Sequence, residues 1–289
     1  MSSILQKVAP IGEARDKEIL KDGQIHVYRQ TPQGEVQAHF FFPPDELGCL
    51  RDRPVVVFFH DGFWDSAMPT QFVPHCLHFA SRGAVAVAAE TRISSKNGTG
   101  PLEALEDARE LIRWIRRNAA DLGIDPKKIA VGGAGGGAWL ALLTSMPRDK
   151  EMPSEDGIEC RAQAVVLFSA LLNTTAKGQQ SSKFPDEKTA KKLSPTTQVR
   201  RKLPPMILFQ GKSDRVTPLG EAQKFARRLR WRSNICELVD YEKAEHSFFN
   251  FNVSHVHFEL TVTAADRFLV ERGILAAAPE VEEGVHQAD

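Results

Sequence analysis

Four short stretches of the chain carry groups able to do chemistry. His60-Asp61-Gly62-Phe63-Trp64 sets an imidazole and a carboxylate beside a glycine. Gly133-Ala134-Gly135-Gly136-Gly137 has no reactive side chain but lies inside a run of small residues. Gln210-Gly211-Lys212-Ser213-Asp214 ends on a carboxylate, and Ala244-Glu245-His246-Ser247-Phe248-Phe249 holds a second imidazole. A histidine oriented by a carboxylate is a general base. Backbone N–H groups at a tight turn that opens a helix can hold a developing oxyanion, or a phosphate. Acyl transfer would need one thing more, a nucleophile.

The elements around these stretches put all four at one edge of a sheet. Residues 24–30 and 36–42 alternate apolar with polar about Thr31-Pro32-Gln33-Gly34, a β-hairpin signal. Residues 54–59, 84–89, 128–131, 164–169, 204–210 and 235–241 read as strands, the apolar runs among them suited to burial on both faces. Between them, residues 71–81, 102–122, the segment after Gly137, and the stretches about Phe225 and 258–269 keep helical period. Gly123 is the expected stop of the 102–122 helix. Strands alternating with helices imply an α/β fold, a doubly wound and mostly parallel sheet with helices on both faces and an antiparallel N-terminal hairpin. Ligands in such sheets sit at the carboxyl ends of the strands, where the four stretches fall. Residues 24–275 read as a single domain. Residues 1–23 read as an N-terminal arm, 170–200 as a polar excursion or short lid, and 276–289 as a disordered acidic tail.

Composition narrows the partners. The 289 residues carry 37 basic and 37 acidic side chains, a formal net charge of zero. That balance argues against nucleic acid and anionic membrane as partners. No apolar run approaches a membrane span, and residues 1–23 lack the apolar core of a signal peptide, so a cytoplasmic location is expected. Cys49, Cys76, Cys160 and Cys236 are scattered without metal-ligand spacing, so no metal and no cofactor is expected, and the thiols should be reduced. His75 and His78, three apart on one helix, read as ordinary surface residues, as do His255 and His257.

With these pieces in order, the chain resembles the bacterial esterase/lipase group of the α/β-hydrolase superfamily, near its hormone-sensitive-lipase-like and acetylesterase-type members, over residues 55–251. His60 to Trp64 stands for a His-Gly-Gly-Gly-Trp segment. Gly123-Ile124-Asp125-Pro126-Lys127-Lys128-Ile129 leads into the nucleophile elbow. Gly211 to Pro218 surrounds the acid, and Glu245-His246-Ser247-Phe248-Phe249-Asn250 stands for the closing His-Gly-Phe-Phe-Asn. The resemblance implies Asp214 and His246 as triad acid and base, with the N–H groups of Gly136 and of Gly62-Phe63 as oxyanion donors. It implies a pocket bordered by His60, Asp61, Trp64 and Phe248, and small acyl esters as substrates.

Two departures stand out. The G-x-S-x-G elbow falls on residues 133–137, so Gly135 occupies the nucleophile position where the family carries serine. Asp61 replaces a glycine of the oxyanion segment, and its carboxylate would oppose an oxyanion unless it points away. The chain then reads as an esterase-type hydrolase left inactive or nearly so, or as a pseudo-hydrolase that binds a small ligand or a protein partner. A dinucleotide-binding turn, Gly133-x-Gly135-x-x-Ala138, is the third reading; the acidic residue such a fold needs at the end of a second strand is missing from the polar stretch 146–157. Gly135→Ser is expected to give a measurable carboxylesterase, with two features able to defeat it: an elbow backbone relaxed around the glycine, and repulsion of the oxyanion by Asp61.

Overall fold

The computed structural model describes residues 13–44, 51–147 and 157–277. Cys49 and most of the expected acidic tail lie outside the described residues. Eight strands form one sheet: β1 (Gln24–Thr31), β2 (Gly34–Phe41), β3 (Arg53–Phe59), β4 (Val85–Ala89), β5 (Ile124–Ala134), β6 (Ala164–Ala170), β7 (Met206–Gly211) and β8 (Cys236–Tyr241). Their order is β1-β2-β4-β3-β5-β6-β7-β8. The hairpin β1–β2 is antiparallel and joins β4 antiparallel, while every pair from β4 through β8 is parallel.

Side chains of the central strands divide by parity between two apolar layers. Val55, Val57 and Phe59 enter the layer that holds α4 (Pro101–Arg117), which follows the single turn α3 (Ser94–Asn97), together with α6 (Gly135–Ser145) and α9 (Leu219–Trp231). Val56 and Phe58 enter the layer beneath α2 (Val73–Ser81) and α10 (His255–Glu271). Every residue of β4 and β6 is buried, because strands covered on both faces have no polar side.

Four local differences from the sequence expectation have physical causes. Within residues 13–23 a helix, α1 (Glu13–Leu20), forms and buries Ile19 and Leu20. The expected 102–122 helix is interrupted after Arg117. The Asn118 amide donates to the Trp114 carbonyl at 2.8 Å, and the short α5 (Ala119–Leu122) follows, closed by Gly123 at φ +65°. Strand β5 runs through Ala134 into the small-residue run, and α6 begins at Gly135 itself. Gly137 permits this tight strand-to-helix approach, since a Cβ there would lie 2.1 Å from the Phe59 carbonyl oxygen.

His75 is the fourth difference, and it corrects the surface assignment. It is fully buried on α2, and rings of Phe58, Phe72, Phe168, Phe249 and Phe258 surround it with centroids 4.9–6.3 Å away. Neither of its ring nitrogens has a hydrogen-bond partner. His78, by contrast, is partly exposed and meets Asp266 at 3.3 Å.

Residues 170–200 carry a 3₁₀ turn (Ser181–Lys183), α7 (Glu187–Lys192) and α8 (Pro195–Gln198). Asp186 caps α7 by accepting the Thr189 N–H at 2.7 Å. The segment is tied to the sheet edge. The Trp139 indole donates to the Leu193 carbonyl at 2.9 Å, and Lys183 donates to the Phe63 carbonyl at 3.1 Å and pairs with Asp65. Among the described residues no helix is long and apolar enough to cross a membrane, and no group of three or more His, Cys, Asp or Glu could hold a metal ion.

Candidate functional site

The four stretches meet at the carboxyl edge of the sheet. Asp214 follows β7 and His246 follows β8. His246 Nδ1 lies 2.9 Å from Asp214 Oδ2. Asp214 is almost saturated with donors. Its Oδ1 accepts the N–H groups of Val216 and Thr217 at 2.8 Å each, and its Oδ2 accepts Gln210 Nε2 at 2.9 Å and the Thr217 hydroxyl at 2.7 Å. Burial works to raise the Asp214 carboxyl, yet the His246 hydrogen bond and the Thr217 donors outweigh it and hold it down at about 2.

Gly135 sits where β5 passes into α6, with φ +46°. This left-handed conformation is the strained geometry of an elbow, easy for glycine and costly for other residues. No side chain of its own occupies the space in front of it. The Asp61 carboxylate does: a Cβ added to Gly135 would lie 2.1 Å from Asp61 Oδ1 and 2.4 Å from Asp61 Cγ.

Asp61 therefore does not point away. It is 8% exposed, and its two oxygens divide between the groups that acyl transfer would use. Oδ1 accepts the Gly136 N–H at 3.0 Å, and Oδ2 lies 2.9 Å from His246 Nε2. Burial would raise the Asp61 carboxyl; the hydrogen bond and charge of His246 and the N–H groups of Gly136 and Gly62 lower it below the ordinary carboxylate value. The imidazole of His246 is thus held between two carboxylates. Burial alone would lower its pKa, but Asp214 and Asp61 together push it up to about 9. With both ring nitrogens facing carboxylate oxygens, His246 favours the imidazolium at neutral pH as long as both carboxylates stay ionised.

The segment from His60 to Trp64 positions Asp61 through unusual backbone angles. Gly62, Phe63 and Trp64 have φ of +97°, +47° and +65°. The Asp61 N–H donates to Gln71 Oε1 at 2.7 Å, and Gln71 Nε2 donates to Asn250 Oδ1 at 3.2 Å. His60 accepts a supporting role: its Nδ1 lies 2.6 Å from the Asp61 carbonyl oxygen, and burial lowers its pKa. Phe63 stacks on His246 with ring centroids 5.9 Å apart.

Two expected pocket residues lie elsewhere. Trp64 is buried against Trp139 at 4.9 Å and Phe184 at 5.8 Å, where it anchors the 170–200 segment. Phe248 packs on Tyr241, Phe249 and His257 in the layer beneath α10. Both are large apolar side chains packed into the core. A cavity of about 170 Å³ does adjoin the site, lined in part by Ala170, Leu172, Thr217 and Pro218. Thr217 touches the Asp214–His246 pair, and Ala170 is bridged to Gly135.

Four supporting residues were not found by sequence reasoning. Thr217 Oγ1 donates to Asp214 Oδ2 and lies 3.1 Å from His246 Nδ1, from which it can accept. Gln210 and Gln71 steady the two carboxylate residues. Ser169, at φ +41° on the end of β6, donates its hydroxyl to the His246 carbonyl at 2.7 Å, which employs it in holding the histidine loop. Thr217 and Gln210 carried a signal, lying three and four residues from Asp214. Gln71 and Ser169 come from distant elements and carried none.

An eight-stranded, mostly parallel sheet with this strand-end arrangement defines an α/β-hydrolase of the esterase group. A family model described as BD-FAE matches residues 49–229, and the chain belongs to that family. The chain is similar to a probable carboxylic ester hydrolase, LipM, of Mycobacterium tuberculosis (strain ATCC 25618 / H37Rv), with 27% identity over 250 residues covering 78% of this chain and 56% of LipM. It is 31% identical over 119 residues to the carboxylesterase NlhH of the same species, covering 40% of this chain and 35% of NlhH. The chain thus spans about half, or less, of the length of these curated relatives. Among solved structures, the thermophilic esterase Est2 of the planctomycete Thermogutta terrifontis matches with a TM-score of 0.83 and 35% identity, covering 90% of this chain and 96% of Est2. A butyrate-bound form of Est2 matches at TM-score 0.82 and 36% identity, covering 90% of this chain and 97% of Est2.

Proposed function

We propose that this chain is an esterase-type α/β-hydrolase whose elbow carries Gly135 in place of the nucleophilic serine. On this reading its inherited substrates are small acyl esters, and it is inactive or nearly so towards them. Asp214 and His246 are the remaining acid and base of a triad, and Gly136 with Gly62 and Phe63 the remaining oxyanion donors. The single observation that carries this reading is the placement of Asp61. Its carboxylate fills the space in front of Gly135, takes the Gly136 N–H and pairs with His246 so as to keep it protonated.

That same fit favours a natural arrangement over an accidental loss. The two departures from the family pattern, Gly135 and Asp61, are complementary in space, since a side chain at 135 and the present Asp61 conformation exclude each other. A pseudo-hydrolase that binds a small ligand without acyl transfer is therefore the second reading. Carboxylates such as the butyrate bound by Est2 suggest the ligand size.

The experiment compares the parent with Gly135→Ser, Asp61→Gly and the double variant. The parent should show no labelling by a serine-reactive fluorophosphonate and no burst with p-nitrophenyl acetate. Contrary to the sequence expectation, Gly135→Ser alone should stay inactive, because its Cβ meets the Asp61 carboxylate. The folded double variant should be labelled and should hydrolyse acetyl and butyryl esters. Stoichiometric labelling of a serine in the parent, or a double variant no faster than the parent, overturns the assignment of Gly135.

A further inference from the structure

We propose that Asp61 is itself a nucleophile, and that this site opens small electrophiles at saturated carbon, terminal epoxides in the first instance. The inference rests on reading Gly135 as the elbow position. It goes further in giving the carboxylate that fills the elbow a reaction of its own.

The geometry is that of a carboxylate placed where an attacking side chain belongs. Oδ2 is 2.9 Å from His246 Nε2, the separation a nucleophile keeps from its partner imidazole, and Oδ1 rests on the Gly136 N–H. Both side chains keep some solvent contact, 10% for Asp61 and 16% for His246. A cavity of about 170 Å³ is lined by Thr217, whose hydroxyl lies 3.1 Å from His246 Nδ1, and by Ala170, which is bridged to Gly135; a small substrate would enter from that side. Chemistry decides the substrate class. Attack of a carboxylate on an ester carbonyl would make a mixed anhydride, more reactive than the ester consumed. Attack on a saturated carbon makes an ordinary alkyl ester, and carboxylate side chains do form such covalent intermediates.

The steps balance. Asp61 Oδ2 bonds to a ring carbon as the ring C–O bond breaks, and the ring oxygen takes the Nε2 proton of His246. Esterification removes one of the two negative charges that held His246 protonated, so the neutral imidazole becomes a base. It takes a proton from water as the water oxygen adds to Asp61 Cγ. The charge then developing on Oδ1 is held by the Gly136 N–H. Cleavage of the Cγ–Oδ2 bond releases the diol, whose oxygen takes the proton from His246. The Asp61 carboxylic acid returns its own proton to the imidazole, restoring the imidazolium–carboxylate pair. The sum is epoxide plus water giving diol, and the water oxygen remains in Asp61.

The test uses the full chain with 1,2-epoxybutane and, as a probe whose leaving group needs no proton, 1-bromobutane. Diol formation is measured, and the peptide containing Asp61 is examined by mass spectrometry after a single turnover in heavy-oxygen water. The parent should form diol and gain heavy oxygen in Asp61. The near-isosteric Asp61→Asn should lose diol formation to the buffer background. His246→Asn, treated with bromobutane, should accumulate a butyl ester on Asp61. Circular dichroism of each variant establishes that it is folded. Diol formation equal in parent and Asp61→Asn, heavy oxygen found only in the diol, or no ester on Asp61 of folded His246→Asn would each overturn the proposal. None of these outcomes touches the fluorophosphonate and ester results, so the reading of Gly135 stands or falls separately.

Discussion

Two histidines of this chain, one buried and one partly buried, sit in opposite worlds. His75 lies among five phenylalanine rings with no partner for either nitrogen, and burial, with a smaller contribution from His78, lowers its pKa to about 3. His246 is partly buried, which would lower it, but lies between Asp61 and Asp214 and is raised to about 9. The same side chain is thus held neutral at one site and charged at the other. Burial by itself does not set protonation; the presence of a carboxylate within hydrogen-bond reach does.

The contrast can be broken or sharpened by measurement. The largest effect should come from acid. His75 binds a proton near 6.5 when unfolded and resists it to about 3 when folded, so its contribution is present above 6.5 and is lost as pH falls. Over that full span the loss is on the order of 5 kcal/mol. Urea unfolding against pH should show an acid limb that is shallower in His75→Leu than in the parent; superimposable limbs would mean that His75 is solvated.

Next in size is His246→Ala at pH 7, which leaves Asp61 and Asp214 facing each other without a cation. It should cost about 3 kcal/mol in the same assay. A loss within the error of the parent would show that one carboxylate is already protonated.

Alkali should act on His246 alone of the pair. Its folded pKa is raised, so its stabilisation is complete below 6.5 and is lost as pH rises through about 9. With partial solvent screening this amounts to on the order of 2 kcal/mol. The imidazole proton resonances of His246 followed by NMR should titrate near 9, while those of His75 should not move between neutrality and that point.

The smallest effect is a gain. His75→Leu removes two unsatisfied ring nitrogens from an apolar cage and should raise stability at pH 7 by about 1 kcal/mol. Differential scanning calorimetry would detect it as a higher melting temperature, and a lower one would point to an undetected partner for the imidazole.

The same two residues mark what could be read from sequence. Asp214 and His246 were legible because each follows an apolar strand in a recognisable local pattern. The sheet order then brings β7 and β8 side by side. His75 carried a signal that its polarity overrode. It lies three residues after Phe72, the N-cap of α2, and four before Phe79 on its apolar face, so helical period already placed it inside. The direction of the Asp61 side chain had no sequence signal. It depends on positive φ at three consecutive residues, two of which are not glycine, and on Gln71 gripping its N–H. The core positions of Trp64 and Phe248 were equally hidden, since an aromatic side chain beside a site can face either the site or the layer below it. The break at Asn118 and the reach of β5 into the glycine run turn on single side-chain contacts that periodicity averages away.

The clearance in front of Gly135 also imposes an order on history. On the proposed reading, the present Asp61 conformation could not coexist with a side chain at 135, because the carboxylate lies 2.1 Å from where a Cβ would be. Loss of the serine had to come first, or together with the arrival of Asp61. The return is blocked at both first steps. Gly135→Ser meets Asp61, and Asp61→Gly yields a site with no nucleophile of either kind. Drift by single substitutions therefore runs one way through this site. Descendants of such a chain should keep Gly135 and Asp61 as a linked pair, changing both or neither.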